Sequence, residues 1–143
     1  MSKNLIRQLR DEEGEVLNAY QDHLGYWTIG VGRLIDKRKG GGITKEESEY
    51  LLSNDISKVN DQLDANIPWW RNLDEPRQAV LQGMAFQMGI AGLLGFKNTL
   101  KMVEYGNYIG ASSGMANSLW AKQTPARAAR MAKQMSTGEW QWK

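Results

Sequence analysis

The sequence predicts an α+β fold: a small lobe built on an antiparallel sheet, a long connecting helix, and a larger lobe made only of helices. Three observations carry that reading. Residues 15–35 are rich in strand formers punctuated by glycine, residues 44–67 carry one apolar stripe at helical spacing, and residues 74–135 read as short helices separated by turn signals. At 143 residues and 41% hydrophobic, the chain suffices for one domain of two small lobes sharing a long element, and is too short for two independent domains. Its 24% charged and 9% aromatic residues exclude the disordered and fibrous classes.

Leu5, Ile6, Leu9 and Glu13 recur at helical spacing, which predicts a helix over about Lys3–Glu12 that stops at Gly14 and leaves Glu13 at its end. From Glu15 to Ile35, Tyr20, Trp27, Thr28, Ile29 and Val31 favour strands, with a turn near His23-Leu24-Gly25. The stretch Lys37-Arg38-Lys39-Gly40-Gly41-Gly42 reads as a flexible connection. Thr44 followed three residues later by Glu47 is a capping-box signature at a helix start. Behind it, Leu52, Ile56, Val59, Leu63 and Ile67 trace an apolar stripe that must end before Pro68. Further helices are expected over Asp74 or Glu75 to Met88, Asn98 to Glu104, Tyr108 to Leu119 and Pro125 to Met135, with a turn from Gly89 to Gly95. Met84, Phe86, Met88, Leu93, Leu94, Met102, Met115 and Met131 are expected to supply a deformable core. The resulting division is a small lobe over about 13–50, a connecting helix over about 44–66, and a helical lobe over about 68–143 with the N-terminal helix packed on it.

Cysteine is absent, so packing rather than a disulfide framework must hold the fold. The first residues, Met1-Ser2-Lys3-Asn4-Leu5, lack the apolar core of a secretory signal, and no run approaches the roughly 20 apolar residues that span a bilayer. Synthesis in the cytoplasm and no stable membrane insertion are therefore expected. The net charge of +2 fits attraction to an anionic polymer, which can be nucleic acid, a membrane surface or a cell wall. The excess lies late in the chain, at Lys122, Arg127, Arg130, Lys133 and Lys143, where a solvated helix face is the plainer account.

With His23 as the only histidine and no cysteine, the usual zinc sites and Ser-His-Asp or Cys-His arrangements lack material. Gly30-Val31-Gly32 lacks the third glycine and the context of a dinucleotide loop. Carboxylate chemistry remains. Glu13 at a helix end, Asp22 at a hairpin turn and Thr28 on the returning strand can converge, and two acids in distinct environments are what glycoside hydrolysis needs. Spacing alone leaves the alternative of solvated surface acids open.

Asp11-Glu12-Glu13-Gly14, Tyr20-Gln21-Asp22 and Gly25-Tyr26-Trp27-Thr28-Ile29-Gly30-Val31-Gly32 resemble the catalytic segment of phage-type lysozymes. The resemblance continues, in order, through Ile43-Thr44-Lys45, Phe86-Gln87-Met88-Gly89, Gly95-Phe96-Lys97-Asn98-Thr99-Leu100, Trp120 with Gln123-Thr124-Pro125, and Thr137-Gly138-Glu139-Trp140. It implies a lysozyme-like fold and a muramidase that cleaves β-1,4 bonds between N-acetylmuramic acid and N-acetylglucosamine in peptidoglycan and lyses the host cell. By the same resemblance, Glu13 is the general acid, Asp22 the second carboxylate, and Thr28 a holder of the attacking water. Leu34, Phe86 and Thr99 line the saccharide cleft, with core packing an equal alternative for Leu34 and Phe86. Arg127 pairs with the catalytic glutamate, and burial of Glu13 must oppose that cation if the acid is to keep its proton. No cofactor and no metal are implied. The implied partner is a glycan strand, not nucleic acid, met by a monomer that depends on a holin to pass from the cytoplasm to the wall in the periplasm.

The sequence departs from the family in four places. Arg33 stands where histidine is usual, and its expected partner is Asp55, a pair that cannot loosen near neutrality because arginine stays protonated. The segment Ile35–Ile43 is short, and Gly114 replaces a polar residue that contacts saccharide. Tyr108 replaces a tryptophan in what reads as core. Two other readings compete: a lytic transglycosylase acting on the same bond, and a non-catalytic wall- or nucleic-acid-binding module using the basic C-terminal helices.

Overall fold

The computed structural model describes residues 3–31, 33–35 and 42–142, with the backbone alone for Leu5, Leu9 and Glu13. The chain divides into two compact units, Met1–Leu51 and Leu52–Lys143. The α+β class follows from a three-stranded antiparallel sheet in the first unit and a wholly helical second unit.

Helix α1 (Lys3–Glu13) opens the first unit. It stops because Gly14 adopts φ 72° and donates its N–H to the Arg10 carbonyl at 2.8 Å, a left-handed closure that glycine makes without strain. The helix belongs to the same unit as the sheet. Strands β1 (Val16–Gln21), β2 (Trp27–Gly30) and β3 (Arg33–Leu34) pair in that order. The predicted turn forms between β1 and β2: the N–H of Asp22 donates to the Tyr26 carbonyl at 2.8 Å, and that of Gly25 to the Asp22 carbonyl at 2.9 Å. The register sets Tyr20 opposite Thr28 and Thr28 opposite Leu34, with a shift between Val16 and Tyr20. Residues directly opposite share a face of the sheet, so Tyr20, Thr28 and Leu34 form one cross-strand row. Gly32 and the predicted flexible stretch from Lys37 to Gly41 lie outside the described residues.

Helix α2 (Lys45–Asn66) starts as its capping box predicts. The Thr44 hydroxyl accepts the N–H of Glu47 at 3.1 Å, and the Glu47 carboxylate accepts the N–H of Thr44 at 2.9 Å. Its apolar stripe divides: Val59 and Leu63 are buried, together with Ile67 just beyond the helix, whereas Leu52 and Ile56 stay exposed. Pro68 opens a 3₁₀ turn (Pro68–Asn72) in which buried Trp70 donates its indole N–H to Asp64 at 2.8 Å.

Asp74 caps α3 (Glu75–Leu94) by accepting the N–H of Arg77 at 3.3 Å. This helix is broken at Gly89 (φ 78°, ψ 162°), as the sequence predicts, but it resumes to Leu94 instead of remaining a turn as far as Gly95. Helices α4 (Lys97–Glu104), α5 (Tyr108–Ala116), α6 (Leu119–Gln123) and α7 (Pro125–Thr137) complete the unit. The single helix expected from Tyr108 to Leu119 is thus corrected to two. Ser118 turns out extended (ψ 163°), and its side chain accepts the N–H of Ala121 at 3.1 Å, which starts a new helix.

The core of this unit is apolar, built on Leu63, Trp70, Val80, Leu81, Met84, Leu93, Val103, Met115 and Met135. Each such side chain contributes about 1.5–3 kcal/mol by leaving water. Phe86, expected among them, is 48% exposed. Tyr108 is covered by the Arg77 guanidinium, 3.7 Å from its ring centroid. Among the described residues no single helix is long and apolar enough to cross a membrane.

Candidate active site

In the first unit the site residues are set by one helix end and one hairpin. Glu13 is the last residue of α1, next to the glycine that closes the helix. Asp22 occupies the corner of the β1–β2 turn and is partly buried. Its Oδ1 accepts two backbone N–H groups, those of Leu24 and Tyr26, each at 2.9 Å. One carboxylate oxygen thus fixes the turn by accepting both backbone N–H groups.

Among the described residues of the first unit Thr28 is the most enclosed, at 2% exposure on the central strand. Its hydroxyl donates to the Tyr26 carbonyl at 3.1 Å, which leaves the oxygen's lone pairs as acceptors. Tyr26 therefore ties the two side chains together: its N–H goes to the Asp22 carboxylate and its carbonyl to Thr28. The two side chains are thus held by opposite ends of one residue's backbone. Leu34 joins Thr28 on the same face through the strand register.

Arg33 is engaged within its own unit. Its Nε donates to the Gly42 carbonyl at 2.8 Å, and its Nη2 meets the Glu47 carboxylate at 3.0 Å. Asp55, offered by the resemblance as its partner, belongs to the second unit. The Glu47 oxygen that accepts from Thr44 also takes the guanidinium. The capping-box signature revealed Glu47, but gave no sign that its carboxylate would be shared. The Glu47 pKa is lowered from its ordinary 4.5, chiefly by the Thr44 backbone N–H. Loss of water works against this, and the Thr44 side chain and the Arg33 charge add to the lowering.

A carboxylate lowered on folding stabilises the fold above its unfolded value, and that contribution disappears as pH falls through the lowered one. Acid titration followed by thermal unfolding should therefore show the contribution of the Glu47 carboxylate, held first by Thr44 and then by Arg33, disappearing below pH 4.5. Arg33→Gln should reduce that acid-dependent loss and leave the interval from about pH 6 to 8 unchanged. A change confined to that neutral interval would show that Glu47 is not the titrating partner.

In the second unit, Phe86 and Arg127 come together at one pocket of about 250 Å³, lined also by Leu52, Ile56, Gln82 and Gly83. The Arg127 Nη2 donates to the Gly83 carbonyl at 3.3 Å, which holds the guanidinium at the pocket wall. Half-exposed Phe86 also lines an adjoining pocket with Asp55 and Lys58. The exposed half of the α2 stripe is thus accounted for: Leu52 and Ile56 floor a surface pocket. Thr99 is buried on α4 and lines neither pocket. A Cβ added at Gly114 would come within 2.6 Å of its hydroxyl oxygen, so the glycine makes room for Thr99. Among the described residues no three His, Cys, Asp or Glu side chains gather in a way that could hold a metal ion.

Comparison with known proteins agrees with this arrangement of sequence blocks. A family model described as phage lysozyme matches residues 10–135. The chain is 32% identical to probable T4-type lysozyme 1 of Dictyostelium discoideum over 96% of each protein. It is 33% identical to the endolysin of Salmonella phage P22 over 85% of this chain and 84% of that one. It is 31% identical to the pre-baseplate central spike protein Gp5 of Enterobacteria phage T4, over 94% of this chain and 28% of that protein. The chain belongs to the phage lysozyme family, whose enzymes are peptidoglycan hydrolases.

Proposed function

We propose that this lysozyme hydrolyses the β-1,4 bond between N-acetylmuramic acid and N-acetylglucosamine with inversion at the anomeric carbon. Glu13 protonates the leaving oxygen, Asp22 takes a proton from water as it attacks the opposite face, and Thr28 holds that water. The observation that carries this reading is the Tyr26 bridge, which ties the Asp22 carboxylate and the Thr28 hydroxyl to one residue of the backbone. Glu13 is placed by the end of α1, beside the glycine turn that closes the helix. In this reading Leu34, Phe86 and Thr99 contact the sugar chain, and Arg127, Arg33 and Asp55 support the site. An inverting reaction needs about 6.5–9.5 Å between the two carboxyls so that water fits between them.

The family likeness to an endolysin supports a role in lysis of the host cell from within, by a monomer made in the cytoplasm and admitted to the wall through a holin-type pore. Mass analysis of digested, purified peptidoglycan tests the reaction class. Hydrolysis yields reducing fragments that have gained one water per bond cut. Anhydro-sugar ends, lighter by one water, would overturn hydrolysis in favour of transglycosylation.

A further inference from the structure

Outside the site described above, the end of the chain carries a built aromatic feature. Trp140 and Trp142 stack with ring centroids 5.2 Å apart and planes 5° from parallel. Trp140 is 39% exposed and Trp142 is 77% exposed, so the outer indole has one face on its neighbour and the other in water. A large apolar side chain left this open on a folded surface marks a contact site when its neighbours hold it in place.

They do hold it. Gln134 on α7 is 2% exposed, and its Nε2 donates to the Pro76 carbonyl at 2.7 Å. Its Oε1 accepts the N–H of Gln141, the residue between the two tryptophans, at 3.1 Å. The Gln141 side chain donates to the Glu139 carbonyl at 3.2 Å, and the Glu139 N–H donates to the Thr137 hydroxyl at 3.1 Å. Gly138 supplies the left-handed turn (φ 71°) that brings the segment off the helix. A buried amide anchored 58 residues away in sequence thus fixes the backbone between the two rings.

We infer that Trp142 and Trp140 form an accessory platform for a second stretch of the wall glycan, with the outer indole face stacking on the C–H face of an N-acetylated pyranose. The inference rests on the hydrolase reading above. Three features favour this occupant. The platform is flat and about the width of one sugar ring. The Gln141 side-chain carbonyl, on the residue between the rings, is an acceptor that suits hydroxyl and acetamido N–H groups. Arg130 and Lys133 lie within about one turn of Gln134 on α7, and their charge suits the carboxylates of peptide stems borne by the glycan.

The test uses the full chain carrying Glu13→Gln, so that the wall is bound without being cut. Co-sedimentation with purified insoluble peptidoglycan should weaken on the order of three- to tenfold when Trp142→Ala is added, and Trp142→Tyr should restore most of the loss. Without any further variant, soluble β-1,4-linked N-acetylglucosamine oligomers should shift the Trp142 indole N–H resonance. Unchanged sedimentation, a loss that tyrosine does not restore, or an unmoved indole resonance would each overturn the platform. So would light scattering showing that the tryptophan pair joins two copies of the chain. Cleavage by the native protein reports separately on the hydrolase reading, so the two can fail independently.

Discussion

Glu13→Gln leaves the fold intact and removes cleavage: wall-suspension clearing and the release of reducing ends should fall by about 10³-fold or more. The substitution preserves size and helix propensity but removes the acidic proton that the proposed reaction takes from Glu13. The closure of the helix does not depend on the side chain, since it is made by the backbone of Gly14 on Arg10. Circular dichroism and the melting temperature should therefore match those of the native chain. Activity within about tenfold of native would remove Glu13 from the acid role.

Asp22 separates structure from chemistry more sharply, because its carboxylate holds the turn and, in the proposed reaction, also accepts the proton of water. Asp22→Asn keeps an amide oxygen that can accept the N–H groups of Leu24 and Tyr26, so the turn survives. The negative charge is lost, and kcat should fall about 10²- to 10⁴-fold. Asp22→Ala should lose the same activity and in addition destabilise the first unit by about 1–3 kcal/mol, since two turn N–H groups lose a charged acceptor. If asparagine retained near-native kcat, the carboxylate would be only a turn device. If alanine were no less stable than asparagine, the two hydrogen bonds would carry no weight in the fold.

Much of this architecture was legible because the signals are local. Gly14 stops α1, Thr44 and Glu47 start α2, and Pro68 ends it, each through backbone chemistry confined to a few residues. The turn after Asp22 was legible for the same reason, although its hydrogen bonds were not. What the sequence concealed depends on distant neighbours. The apolar period of α2 is uniform from Leu52 to Ile67, yet only its later part is buried, because periodicity reports a face and not what covers it. Phe86 has the composition of a core residue and lies half-open at a pocket. The division of α5 from α6 turned on Ser118 being extended, which competes locally with a helix that Asn117 and Ser118 only mildly disfavour.

The candidate site divides the same way. The residue blocks identified Glu13, Asp22 and Thr28 together, but not the Tyr26 backbone that joins two of them. Arg33 was recognised as a departure, while its Glu47 partner was hidden by the fact that one carboxylate oxygen serves both a helix cap and an ion pair. Local chemistry is thus readable in order along the chain, whereas shared acceptors and uncovered faces appear only when the chain is folded.

The central claim is that a water activated by Asp22 attacks opposite the bond that Glu13 protonates. Proton NMR of the nascent reducing ends, recorded before mutarotation during cleavage of a soluble peptidoglycan fragment, tests it most directly. The β-linked substrate should first yield the α-anomer. Initial release of the β-anomer would contradict direct attack by water and point to a covalent glycosyl-enzyme intermediate.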